Sequence, residues 1–142
     1  MGNAFSHFTP PPVLLTEEIK ARLSAADERI RQGDDGQKTP VIAKVFQPDG
    51  GATYLLTSLD CDEQSGEAVL WAVSDAGFGT VEYGTVLLSE LEDARGNQGL
   101  PMEVDAEFNT EGLFVEDLLQ LESLSPESIE RSRIVMRGAL TR

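Results

Sequence analysis

Positive charge is what this chain has least of. Residues 45–130 hold nineteen Asp and Glu against a single base, Arg95, whereas residues 1–44 balance six acids with six bases and residues 131–142 hold four Arg and no acid. Binding to nucleic acid or to an anionic lipid surface needs clustered Lys and Arg, so the acidic body is excluded from both direct roles. His7 is the only histidine and Cys61 the only cysteine. That scarcity excludes a Ser-His-Asp or Cys-His machine built into the core, a disulfide within the chain and a multi-cysteine zinc site. Cys61 also stands between Asp60 and Asp62, whose charges disfavour the thiolate that a reactive nucleophile requires. No apolar run approaches the ~20 residues of a membrane helix, and the first residues lack the basic start and apolar stretch of a secretory signal. A cytoplasmic protein that does not engage membranes is expected.

What is present suffices for one domain. A chain of 142 residues with 40% hydrophobic composition has a core to bury, and 13 Gly with 7 Pro imply many turns. Pro10, Pro11 and Pro12 mark residues 1–13 as a flexible or extended arm. Residues 14–125 read as an acidic α+β domain, and residues 126–142 as a C-terminal helix with a basic end. The opening Met1-Gly2-Asn3-Ala4-Phe5-Ser6 matches an acylation pattern that short sequences meet by coincidence.

Periodicity and punctuation place the elements. Thr16 is a helix cap, Glu17 and Glu18 suit the positive end of the dipole, Ile19, Leu23, Ala26 and Ile30 form one apolar stripe, and Gly33 is a stop. Val41 to Phe46 and Thr53 to Leu59 are strands joined by the turn Pro48-Asp49-Gly50-Gly51. A third strand, Ala68 to Val73, is expected to bury Trp71, and Thr80 to Leu88 is a fourth. Ser89 and Glu92 have the spacing of a capping box, with Gly96 ending a short helix. Met102 to Phe108 alternates apolar and acidic residues as a half-buried fifth strand. Leu113 to Leu121 is read as a helix with Leu118, Leu119 and Leu121 inward, and Ser125-Pro126-Glu127 opens a last helix stopped by Gly138. The fold class is therefore α+β: an antiparallel sheet of about five strands with an N-terminal helix and C-terminal helices.

Several segments together carry a resemblance. Leu15-Thr16-Glu17-Glu18-Ile19, Lys44-Val45-Phe46-Gln47-Pro48-Asp49-Gly50, Glu82-Tyr83-Gly84, Leu88 to Gly96, and Gly99-Leu100-Pro101-Met102-Glu103-Val104-Asp105 occur in an order that resembles a bacterial family, domain of unknown function 2958. The likeness runs from Leu15 to about Phe108. It implies a bacterial intracellular protein, often linked to plasmids and other mobile elements, with no established activity.

Familiar site chemistries fail on particular residues. Asp60 to Gly66 begins like a calcium loop, but Ser65 stands where the turn needs Gly and Trp71 where a bidentate Glu is required. Gly77 and Gly79 do not open a dinucleotide fingerprint, because Glu82 takes the place of the third glycine and a strand follows. No cofactor is expected, and no catalytic or metal-ligating residue is assigned. The acids themselves remain. Side chains two apart on a strand project from one face about 6.6–6.8 Å apart, so Glu103, Asp105 and Glu107 are expected as a row imitating a phosphate backbone. With Asp60, Asp62, Glu63, Glu67, Glu90, Glu92 and Asp93 they make a candidate acidic surface for a basic nucleic-acid-binding protein. The rival reading is an enzyme using carboxylates, with or without a divalent ion. Ile129, Ile134, Val135 and Met136 among Arg131, Arg133 and Arg137 suit a helix that docks on its own acidic body or on a second copy as a homodimer.

Overall fold

The computed structural model describes residues 13–141, and side chains as far as residue 133. The Pro-rich segment up to Pro12 with His7, and the side chains of Ile134, Val135, Met136 and Arg137, lie outside the described residues. No helix among the described residues is long and apolar enough to cross a membrane.

Helix α1 spans Glu17–Arg31 and begins as its sequence dictates: Thr16 Oγ1 accepts the Ile19 amide at 3.2 Å, Glu17 and Glu18 occupy the first turn, and Arg29 and Arg31 the last. Leu23 and Ala26 are its buried residues. After a 3-10 turn at Gly36–Lys38, strands β1 (Ala43–Phe46), β2 (Thr53–Cys61), β3 (Ala68–Asp75) and β4 (Val81–Leu87) follow in succession. Helix α2 (Leu88–Asp93), strand β5 (Glu103–Val104), and helices α3 (Val115–Leu118) and α4 (Pro126–Thr141) complete the chain. The five strands pair antiparallel in the order β4-β3-β2-β1-β5, as the α+β reading anticipates.

Strand alternation gives the sheet two apolar faces, and different parts of the chain cover them. The first carries Val45, Leu56, Leu70 and Ala72 beneath Leu15, Leu23 and Ala26 from the N-terminal side and Leu88 and Leu91 from α2. The second carries Leu55 and Val73 beneath Val41, Leu113, Val115, Leu118, Leu124 and Ile129. Each fully buried aliphatic side chain contributes about 1.5–3 kcal/mol. The second cover is tied down by backbone: Val41 N donates to Leu113 O at 2.9 Å, and Val115 N to Thr39 O at 3.2 Å. Ser125 caps α4 through its Oγ, which accepts the Ser128 amide at 3.2 Å.

Two aspartates fasten distant segments. Asp75 is buried, and its carboxylate accepts the Gly77 amide at 2.8 Å and the Leu124 amide at 3.0 Å, joining the β3–β4 turn to the C-terminal cover. Asp49, in the β1–β2 turn, accepts the Gln98 amide at 2.6 Å and the Leu100 amide at 3.2 Å. Gly96 lies so close that a Cβ there would fall 1.6 Å from Asp49 Oδ1.

Five sequence expectations need correction. Trp71 is 38% exposed and not a core residue, because the C-terminal cover ends over Val73 and Tyr83. The capping box at Ser89 does not form: α2 starts directly from β4 with Leu87 as its N-cap and no side-chain bond, and Glu92 instead accepts the Leu14 amide at 3.3 Å. The expected fifth strand shrinks to Glu103–Val104, since Asp105 turns the chain by accepting the Glu107 amide on Oδ1 at 3.2 Å and the Phe108 amide on its carbonyl. At the C-terminal end, α3 covers only the 4 residues Val115–Leu118 of the expected Leu113 to Leu121, and α4 runs through Gly138 to Thr141.

Asp75→Ala strands a buried amide, so it is expected to lower unfolding free energy by about 2–3 kcal/mol, read as a shifted urea midpoint at unchanged slope. For the second clasp, Gly96→Ala should destabilise the Asp49 protein by about 1–2 kcal/mol more than the Asp49→Ala protein in a double-mutant cycle.

Candidate functional site

The ten acids singled out from sequence fall into three places. Asp60, Asp62, Glu63 and Glu67 belong to the β2–β3 hairpin end. Glu90, Glu92 and Asp93 lie on α2, which starts beside that end because Leu87 pairs with Val69 while Ala68 pairs with Cys61. Glu103, Asp105 and Glu107 are elsewhere: Glu103 pairs with Phe46, which pairs with Thr53, and Thr53 is seven residues from Asp60 along β2. At ~3.3 Å per residue the two ends are separated by roughly 23 Å along the strands, besides the width of β1 and β2.

The row on β5 therefore does not form. Asp105 is half-buried and pairs with Lys44 Nζ at 3.5 Å, while Glu107 sits in the turn that Asp105 makes. Lys44 is held between rings, 5.0 Å from Phe108 and 5.8 Å from Phe46, and Arg133 covers Phe108 from the α4 side at 5.7 Å. Arg133 also donates to the carbonyls of Glu111 and Asn109. A cleft of about 450 Å³ lies here, lined by Lys44, Asp105, Glu107, Phe108 and Arg133. Its cations already have partners, so it is the seam where α4 joins the β1–β5 edge.

At the hairpin end the acids are freer. Asp62 is spent on shape, since its Oδ1 accepts the amides of Gln64 and Ser65 at 2.8 and 3.4 Å. Asp60 pairs with Arg31 at 2.5 Å, and Arg31 also holds Asp27 at 2.8 Å. The hydrogen bond that Arg31 donates to Asp27, and then the charge of Asp60, raise the Arg31 guanidinium above its ordinary pKa. Glu63, Glu67, Glu90 and Asp93 are exposed and belong to none of the ion pairs among the described residues.

The structure adds an aromatic pair that sequence reasoning missed. Trp71 on β3 and Tyr83 on β4 tilt against each other with ring centroids 5.0 Å apart. They project from the second face, where the C-terminal cover ends, and Trp71 lies in register with Ser58 on one side and Thr85 on the other. Those two polar neighbours were the available signal, legible only once the register is known. The pairing of β2 with β3 shifts between Leu56 and Ser58, a bulge opposite Trp71. Bulges of this kind concentrate beside functional surfaces, where they re-aim side chains.

Strand β4 forms the neighbouring edge of the sheet. From Cys61 to Ala94 the chain builds β3, β4 and α2 with eight acids and no Lys or Arg. The arrangement is thus an exposed tryptophan beside an open strand, within a region of one charge sign. Among the described residues no three His, Cys, Asp or Glu side chains converge as a metal-ligand set.

A family profile described as protein of unknown function (DUF2958) matches residues 14–116. No curated protein and no solved structure matches the chain.

Partial exposure of Trp71 sets the cost of removing it. Trp71→Ala is expected to lower stability by about 1–2 kcal/mol in urea unfolding, well below the ~3–5 kcal/mol of a fully buried aromatic truncation.

Proposed function

We propose that the chain, which belongs to the DUF2958 family of proteins of unknown function, is a non-enzymatic interaction protein that binds a basic surface on a partner protein. In its concrete form the partner is a nucleic-acid-binding protein, and the chain occupies the groove that otherwise holds phosphates. The observation that carries this reading is the uninterrupted negative sign of the Cys61–Ala94 region, where Glu63, Glu67, Glu90 and Asp93 reach solvent without a paired base. The candidate surface shifts accordingly from the β5 row to the hairpin end with α2.

Electrostatics of this kind speed association and select against acidic partners. A basic groove also gives up its condensed anions on binding, which adds a favourable term that salt removes. With a screening length of ~10 Å at 0.1 M salt and ~3 Å at 1 M, the attraction fades over an accessible range.

The test is a salt series on the immobilised chain with a purified basic nucleic-acid-binding protein, followed by competition with duplex DNA. Retention at low salt, release as salt rises and displacement by duplex are expected. A variant carrying Glu63→Gln, Glu67→Gln, Glu90→Gln and Asp93→Asn should fold normally by circular dichroism and lose about tenfold in affinity at low salt, four weakened charge pairs of a few tenths of a kcal/mol each. Retention that ignores both salt and these substitutions overturns the proposal.

A further inference from the structure

We propose that β4 is a docking edge that accepts one extended basic segment of a partner protein as a sixth strand. The inference rests on the charge-driven reading above and adds to it a mode of engagement.

The two edges of the sheet are unequal. On one side β5 pairs over two residues and then turns away at Asp105, which leaves little edge to extend. On the other side β4 runs for seven residues in unbroken register with β3, from Val81 opposite Asp75 to Leu87 opposite Val69. Its inner backbone groups pair with β3, and no other backbone bond reaches it among the described residues. A strand leaves alternate N–H and C=O groups pointing outward, so β4 presents a ready template. Proteins blunt such edges with charged side chains, Pro, a bulge or a short run, and β4 carries only one of these, exposed Glu82, whose charge deters an acidic strand and not a basic one. Gly84 at its centre adds room, since a Cβ there would meet nothing within 4 Å.

Side chains beside the edge indicate the occupant. A strand added to β4 sets alternate residues about 4.5–5.5 Å from Tyr83 and Thr85 on the face that also carries Trp71. Lys or Arg at those positions lies over aromatic rings, which attract cations. On the opposite face Glu82 is exposed on β4 itself, and Glu67 and Glu90 stand near its C-terminal end. No base from Cys61 to Ala94 competes for them. A second copy fits poorly, because each chain carries a net charge of −14 and β4 against β4 brings two Glu82-bearing strands together.

The probe is a synthetic peptide of about nine residues, a strand's length, with Arg at alternate positions and Thr or Val between them. Its control has the same sequence and charge but carries N-methyl groups on alternate backbone amides, which removes one ladder of donors. Trp71 is the only tryptophan, so its emission reports directly on this face. With the full chain at low salt, the parent peptide should change Trp71 emission and slow hydrogen exchange at alternate β4 amides. The methylated peptide should bind at least about tenfold more weakly, since main-chain bonds supply the affinity in strand addition.

Equal affinity for both peptides without β4 protection overturns the strand mode and leaves the charge-driven reading standing. Failure of both peptides to bind in a salt-sensitive way overturns the two together. Self-association of the chain alone with β4 protected overturns the basic occupant and gives the edge to a second copy.

Discussion

Both faces of one five-stranded sheet must be covered, and the chain has two covers of unequal reach. α1 and α2 close the first face over Val45, Leu56, Leu70 and Ala72. On the second face the segment from Leu113 to Ile129 closes over Leu55 and Val73 and goes no further. The exposure of the aromatic pair follows from that shortfall. Trp71 stands beyond the limit of the second cover, Tyr83 lies at its margin, and the strand that bears Tyr83 forms an edge. The position of the limit is itself fixed by polar contacts, above all the Asp75 carboxylate that receives the Leu124 amide, because apolar packing alone has no directional preference.

The acidic composition does two different kinds of work. Asp35, Asp49, Asp62, Asp75 and Asp105 accept main-chain amides and so shape turns or join segments. Short side chains suit this, since an aspartate carboxylate reaches a backbone donor two residues on with few rotors to freeze. Glu63 and Glu67 at the hairpin end and Glu90 on α2 project outward on longer stems and set the field at the surface. Net charge therefore overstates the charge free to act on a partner. It also misplaces it, because the densest alternation of acids, at Glu103 to Glu107, is partly neutralised by Lys44.

Local signals in the sequence carried most of the fold. The Thr16 cap, the Pro48 to Gly51 turn and the Ser125-Pro126 helix start are each decided within a few residues, and each is found in the structure. Where the outcome depends on a distant partner, sequence reading failed. Ser89 and Glu92 have capping-box spacing, but Glu92 is recruited by the Leu14 amide 78 residues away in sequence. Met102 to Phe108 fails for a local reason instead: it has the period of a strand, yet a single Asx turn at Asp105 ends it. Trp71 has every attribute of a core residue except a cover, and what covers β3 is decided by where the C-terminal segment is anchored. The aromatic pair was invisible for the same reason, since no neighbouring residue encodes register across three strands.

The difference between the two margins of the sheet also fixes a valence. A ladder open on both sides can be copied without end, each arrival offering the next a fresh template, which is the geometry of fibres. Here growth is blocked at the β5 side after two residues. Whatever aligns with the opposite strand finds a single berth, and the arrangement closes at a defined stoichiometry.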